Sequence, residues 1–195
     1  MKKKFLLVSV LFLFSGLLFA APFGLKMGMN LEEIKDACGG KRPENVQDDC
    51  YRIYPEKNHP LFEEYYAYVD EVEGLYYIKA VSARISTNKY GTELKEKFNE
   101  INSRISKSYG TASINDVVED KSAYHAQYDE FWLEAIDEGS RRLFSIWKKD
   151  EPMKDCLEFV HLYATSNYLR NFGYINLEYR FTNASAVEDS QDDVF

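Results

Sequence analysis

The sequence lacks the motifs by which most enzymes and nucleotide-binding proteins can be recognised. Its 195 residues contain no phosphate-binding glycine loop, no dinucleotide fingerprint, no GxSxG nucleophile motif and no HExxH zinc motif. The three histidines, His59, His125 and His161, stand far apart in the chain. We therefore expect no cofactor, no metal and no catalytic residue.

Basic residues are too few for a nucleic-acid-binding protein. The chain has 24 Lys and Arg against 32 Asp and Glu, which gives a net charge of −8. An acidic protein repels phosphate backbones and anionic lipid surfaces, and no basic stripe offsets this repulsion. We therefore expect no nucleic-acid partner, and we attribute the charge to solubility.

A cleavable secretory signal is predicted at residues 1–20. Three N-terminal lysines precede an apolar run from Phe5 to Phe19, which is shorter than the roughly 20 residues of a membrane-spanning helix. Cleavage after Ala20 is expected because small residues stand there and Pro22 does not become the new N-terminus; an uncleaved anchor is the alternative. No later stretch is apolar enough to span a bilayer. This interpretation places the protein in the bacterial periplasm or outside the cell.

Cysteine is scarce, with three residues at Cys38, Cys50 and Cys156. In an oxidising compartment, a pair of cysteines is expected to form a disulfide. Cys38 and Cys50 flank a short polar loop, and their pairing would stabilise the protein by roughly 3 kcal/mol in the chain-entropy model. Three free thiols are the alternative, since the sequence does not fix the connectivity. No spacing of Cys or His matches a zinc site.

The first half of the mature chain predicts one helix and three strands. Asn30 and Glu33 form a capping-box pattern that starts a helix at 31–38, and Gly39 and Gly40 end it. Aromatic and β-branched runs between turn residues then predict strands. These strands are 51–54, 61–69 and 75–85, and they form a meander.

The second half predicts two helices followed by a second meander. After Thr92, apolar residues recur at helical spacing until Gly110 ends the helix, and a second helical stripe runs from Tyr128 to Ile136. Residues 184–195 are acidic and poor in apolar side chains, which predicts a disordered tail. The predicted strands are 142–147, 157–164 and 174–181.

This order of elements predicts an α+β fold in which a helix plus a three-stranded antiparallel meander is used twice. The amphipathic helices would pack on one sheet face and leave the other face partly open. Residues 21–183 would form a single domain between the signal and the tail.

The segment GLKMGMNLEEI at 24–34, followed by Gly39 and Gly40, resembles the opening of many small bacterial envelope proteins, among them the outer-membrane assembly lipoproteins of the SmpA/BamE type. The element order is similar to that of the β-lactamase-inhibitor proteins, and residues 74–110 resemble uncharacterised secreted bacterial proteins. The resemblance implies a binding module without catalytic residues. The chain lacks the lipid-bearing cysteine of the assembly lipoproteins.

Aromatic residues of the later strands predict the binding surface. Residues two apart on a strand share a face, and this pattern could bring four side chains onto one open aromatic face. Those residues are Trp147, His161, Tyr163 and Tyr174. Tyrosine and tryptophan provide contact area at low entropic cost, which suits the binding of a protein or a glycan. Completion of the core by the same side chains is the alternative.

Three hypotheses for function follow from these features. The first is an exported, non-catalytic protein that binds an envelope protein or polymer across its sheet. The second is a cell-envelope hydrolase with paired carboxylates, which requires a cleft and one raised carboxyl pKa. The third is a carrier of a small apolar ligand, which requires a closed pocket between the sheet and the helices.

Overall fold

One antiparallel sheet of nine strands runs through the residues that the structure describes. The computed structural model describes residues 21–192, without the side chains of Pro152, Gln191 and Asp192, and the predicted signal lies outside the described residues. The strands are β1 (Glu44–Gln47), β2 (Cys50–Ile53), β3 (Phe62–Asp70), β4 (Gly74–Ser82), β5 (Ile85–Ser86), β6 (Asn115–Val118), β7 (Arg141–Met153), β8 (Leu157–Asn167) and β9 (Phe172–Phe181). Their order across the sheet is β1-β2-β3-β4-β9-β8-β7-β6, and β5 pairs with β9 beside this path.

Four α-helices accompany the sheet in the described part of the chain. They are α1 (Leu31–Ala37), α2 (Thr92–Tyr109), α3 (Trp132–Asp137) and α4 (Ala184–Asp192). Helix α1 begins at the predicted capping box, where the Asn30 side chain accepts from the backbone of Glu33 and the Glu33 carboxylate accepts from the Asn30 backbone at 2.9 Å. Helix α2 ends at Tyr109 and is capped by Gly110, whose φ of 92° favours glycine.

The prediction of a helix-plus-meander unit used twice is wrong, because the two meanders are halves of one sheet. Strand β4 of the first meander pairs with β9 of the second, from Tyr77 opposite Arg180 to Val81 opposite Asn176. This pairing joins residues far apart in the chain, and an alternating pattern specifies a buried face but not the neighbouring strand. Strands β1 and β6, which the sequence pattern does not predict, form the two ends of the sheet, and the strand predicted at 75–85 is divided into β4 and β5.

One face of the sheet is covered and carries the hydrophobic core. On β9, Ile175, Leu177 and Phe181 are at most 2% exposed, and they alternate with side chains on the opposite face. The apolar stripe of α2 belongs to the same core through Leu94 and Phe98, which are fully buried. Burial of each such side chain contributes about 1.5–3 kcal/mol relative to its exposure.

Helix α4 occupies most of the segment for which composition predicts a disordered tail. Ala184 and Val187, three positions apart and therefore on one side of the helix, are buried. Arg180 of β9 donates to both carboxylate oxygens of Glu188, at 2.6 and 2.7 Å. Two apolar contacts and one bidentate ion pair therefore hold a helix whose overall composition is acidic and polar.

The predicted disulfide between Cys38 and Cys50 is absent, and all three cysteines, which lie within residues 21–192, are free. Cys38 is 5% exposed and belongs to the core at the end of α1. Cys50 stands opposite Tyr68 and lines a groove on the other face of the sheet. The sheet therefore separates two thiols that are close in sequence.

Candidate functional site

The open face, defined as the side of strands β2, β3, β4, β9, β8 and β7 opposite the hydrophobic core, carries three rows of side chains. Paired residues of neighbouring strands point to the same side, so the observed register determines each row. The central row contains Arg52, Tyr66, Lys79, Glu178, His161 and Ile146. One flanking row contains Cys50, Tyr68, Tyr77, Arg180, Phe159 and Lys148, and the other contains Glu64, Val81, Asn176, Tyr163 and Phe144.

Glu178 is the centre of a polar network on the open face. Tyr163 Oη donates to Glu178 Oε1 at 2.8 Å, and Lys79 Nζ lies 3.6 Å from the same oxygen. His161 Nδ1 lies 3.4 Å from Glu178 Oε2, on the other side of the carboxylate. Lys79 Nζ also donates to Tyr163 Oη at 3.2 Å, which closes the network. The Glu178 side chain is 13% exposed, so these protein groups replace most of its water.

The network keeps Glu178 ionised and its tyrosine neighbours neutral. Burial alone would raise the pKa of Glu178, but the donors His161, Tyr77 and Tyr163 and the charge of Lys79 lower that pKa to about 2. Burial and the nearby carboxylate raise the pKa of Tyr163 and Tyr77 well above the usual tyrosine value. The hydroxyl groups therefore remain hydrogen-bond donors and acceptors at physiological pH.

His161 has one ring nitrogen beside a partner and one without. The ring stacks on Tyr163 with centroids 4.8 Å apart, and it meets Phe144 edge-on at 6.2 Å. Nδ1 faces Glu178, whereas Nε2 is buried and has no hydrogen-bond partner among the described residues. A proton on Nδ1 satisfies the carboxylate, and this tautomer leaves Nε2 as an acceptor.

Two hollows flank the network. A groove of about 640 Å³ lies over β2, β3 and β4, and its walls include Tyr66, Tyr68 and Lys79. A smaller hollow of about 260 Å³ lies beside β7 and β8, and its walls include His161 and Tyr163. Because Lys79 borders the first and His161 borders the second, the network forms a ridge between the two hollows.

Three of the four predicted binding residues lie on the open face. His161 and Tyr163 belong to the network around Glu178. Tyr174 stands two positions before Asn176 on β9 and therefore points to the same side of the sheet. The structure thus places these three residues on one face, with Tyr174 outside the network and in ring contact with Phe172.

Trp147, the fourth predicted residue, lies on the covered face instead. Its side chain is 3% exposed, and Nε1 donates to the backbone oxygen of Gly110 at 2.6 Å. The register of β7 against β8 sets Ile146 opposite His161, so Trp147 points the other way. Trp147 therefore completes the core, which is the alternative that the sequence analysis gave to a binding role.

Lys79 and Glu178, the charged centre of the site, are candidates that sequence reasoning did not select. A signal exists on β9, where Asn176, Glu178 and Arg180 alternate with buried residues and so indicate a polar face. On β4 the alternation is interrupted, because the register shifts before Tyr77 through a β-bulge. From Tyr77 onward the alternation is regular, and Lys79 stands between the buried Ile78 and Ala80, so this shorter stretch carries the signal for Lys79.

No family model, curated protein or solved structure matches this chain. Within residues 21–192, no helix is both long enough and apolar enough to cross a membrane. The same residues contain no group of three or more His, Cys, Asp or Glu side chains that could hold a metal ion.

Proposed function

We propose that the protein is an exported, non-catalytic binding protein whose partner lies across the open face. The supporting observation is the groove of about 640 Å³, which is walled by half-buried tyrosines and polar side chains and borders the network around Glu178. Tyrosine offers a rigid ring and a hydroxyl group in one side chain, which makes such surfaces effective in binding. The predicted signal peptide supports action at the cell envelope.

The pKa shifts of the carboxyl groups favour a binding protein over a hydrolase. A hydrolase that works through paired carboxylates needs one of them with a raised pKa, to act as the acid. Among the described carboxyl groups, every pKa that departs from its usual value is lowered. The groups concerned are Glu32, Glu93, Glu100, Asp120, Glu178 and Glu188. Glu178, the one at the centre of the site, is thus an ionised acceptor rather than an acid.

The apolar hollow between α2 and the sheet is small for a ligand carrier. It has a volume of about 210 Å³, and Phe23, Phe62, Tyr109 and Tyr179 contribute to its walls. Pockets that hold small molecules usually measure about 300–1,000 Å³. The open face offers more surface, so a partner bound across the sheet is favoured over a ligand carried beneath it.

Capture from an envelope extract tests the proposal. The protein is purified from cells that express the full chain, then immobilised beside an open-face variant, Tyr163→Ala with Tyr174→Ala. The matched control, Tyr90→Ala with Tyr124→Ala, removes two tyrosines that are exposed elsewhere. We expect the wild type and the control to retain a partner that the open-face variant does not retain. Circular dichroism should show that the open-face variant is still folded. Equal retention by the open-face variant, or capture of nothing, would contradict the proposal.

A further inference from the structure

The charges on the open face are paired with one another. Each of the four cations in the three rows lies within 3.6 Å of a carboxylate. The pairs are Arg52–Glu64 at 3.1 Å, Lys79–Glu178 at 3.6 Å, Arg180–Glu158 at 2.6 Å and Lys148–Glu158 at 3.5 Å. Because every cation of the rows already has a counter-charge, the face has little free positive charge with which to attract a phosphate, a sulfate or an acidic polymer.

Uncharged hydrogen-bonding groups stand between these ion pairs. The groove contains the hydroxyl groups of Tyr66 and Tyr68 and the amide of Asn176. Burial raises the pKa of Tyr68 to about 12, so its hydroxyl group stays neutral. The second hollow is bordered by the exposed Thr165 and by Arg141 and Arg142, whose guanidinium groups are paired with Asp116 and Glu119. The uncharged groups suit the hydroxyl groups of a ligand, and the adjacent rings add apolar contact area.

The two hollows and the ridge between them form a path across the strands. From β2 to β7 this path crosses five inter-strand intervals, a length of about 24 Å at roughly 4.8 Å per interval. A compact small molecule would cover only part of it. An extended chain that lies perpendicular to the strands would contact the groove, the ridge and the second hollow together.

We infer that the ligand of the open face is a neutral, hydroxyl-rich chain, namely a polysaccharide strand that lies across β2 to β7; this inference rests on the proposed binding function. Hydroxyl groups of the strand exchange hydrogen bonds with Tyr68 and Asn176 in the groove and with Thr165 in the second hollow. Binding of this kind depends little on ionic strength. Asp48 and Asp49 also line the groove, and their negative charge would attract a basic protein segment. Such a segment is therefore the partner against which the polysaccharide must be tested.

Isothermal titration calorimetry with neutral hexasaccharides tests the inference. The probes are hexamers of N-acetylglucosamine, of β-linked glucose and of mannose, with polygalacturonate and polylysine as the charged comparisons. We expect at least one neutral hexamer to bind, with a Kd that changes less than about twofold between low and high salt. Binding of a charged polymer alone, or of none of the five probes, would overturn the inference.

Three single substitutions locate that binding on the open face. Thr165→Val keeps the shape of the side chain but removes its hydroxyl group from the second hollow, and Tyr68→Phe removes one hydroxyl group from the groove. Each is expected to weaken binding about 5- to 10-fold, the effect of one hydrogen bond. Tyr90→Phe removes a hydroxyl group from an exposed ring away from the rows and should leave the Kd unchanged. Equal weakening by all three substitutions, or by none, would also overturn the inference.

Chemical treatment of the envelope extract separates failure of this inference from failure of the proposed function. One portion is digested with protease, and another is oxidised with periodate, which destroys the vicinal diols of sugars. Capture that depends on the open face and is lost only after periodate supports a polysaccharide ligand. Capture lost only after protease overturns the inference but retains the binding function, and capture that never depends on the open face overturns both.

Discussion

Replacement of Glu178 by glutamine should remove a large, acid-sensitive contribution to stability. The pKa of Glu178 is lowered from 4.5 to about 2, and a shift of this size corresponds to roughly 3 kcal/mol of folding free energy. Lys79, its charged partner, is 29% exposed, and solvent screening reduces the expected contribution to about 2 kcal/mol. At neutral pH, the Glu178→Gln variant should therefore unfold with a free energy about 2 kcal/mol lower than the wild type.

The same contribution has a defined dependence on pH. Since the pKa of Glu178 is lower in the folded protein than in the unfolded chain, the stabilisation is present above pH 4.5 and is lost as the pH falls towards about 2. The wild type should lose about 2 kcal/mol over this range that the Glu178→Gln variant does not lose. The two stabilities should thus approach each other in acid.

Urea unfolding followed by circular dichroism at a series of pH values measures this difference. Glu100→Gln is the matched control, because Glu100 is an exposed carboxylate on α2 that pairs with Lys97 and Arg104. The pH dependence of the control should follow that of the wild type closely. Parallel curves for the wild type and for Glu178→Gln would refute the role of the network.

Three further predictions address the core, the last helix and the cysteines. Trp147→Phe should lower the unfolding free energy in urea by about 1–3 kcal/mol and leave capture at the open face intact; a capture defect in the folded variant would place Trp147 in the site. Val187→Ala should lower the unfolding free energy by about 2 kcal/mol and reduce the Tm, because Val187 anchors α4; an unchanged Tm would contradict that packing. A reductant should leave the Tm unchanged, since Cys38, Cys50 and Cys156 are free, and a fall of several degrees would indicate a disulfide.

Local features of this fold could be predicted because their causes are local. The capping box at Asn30 and Glu33 starts α1, and the apolar stripe after Thr92 forms α2 up to Gly110. In each case the side chains that stabilise the element lie within a few positions of one another. Helix α4 was missed because its stability comes from Arg180 on β9 and from burial against the sheet, which the composition of the segment does not show.

The topology could not be predicted, because it depends on contacts between distant parts of the chain. The pairing of β4 with β9 turns two meanders into one sheet, and nothing in either strand alone specifies the other. The missing disulfide has the same cause: Cys38 and Cys50 are near in sequence, but the sheet stands between them. Burial and pairing across the whole sheet decide both features.

The candidate site could be predicted in part. Period-two alternation places His161 and Tyr163 on one face of β8, and this relation holds within a single strand. Extending it to Trp147 fails, because the relative register of β7 and β8 determines whether Trp147 or Ile146 stands opposite His161. A shift of one residue in this register would therefore decide whether Trp147 lies in the core or on the open face.

Hydroxyl-radical footprinting of the protein, alone and with its captured partner, tests the central claim that the open face is the binding surface. The account predicts protection of Tyr66, Tyr68 and Tyr174 when the partner is bound, with unchanged labelling of the exposed Tyr90 and Tyr124. Protection of Tyr90 or Tyr124, with the three open-face tyrosines labelled as in the free protein, would contradict it.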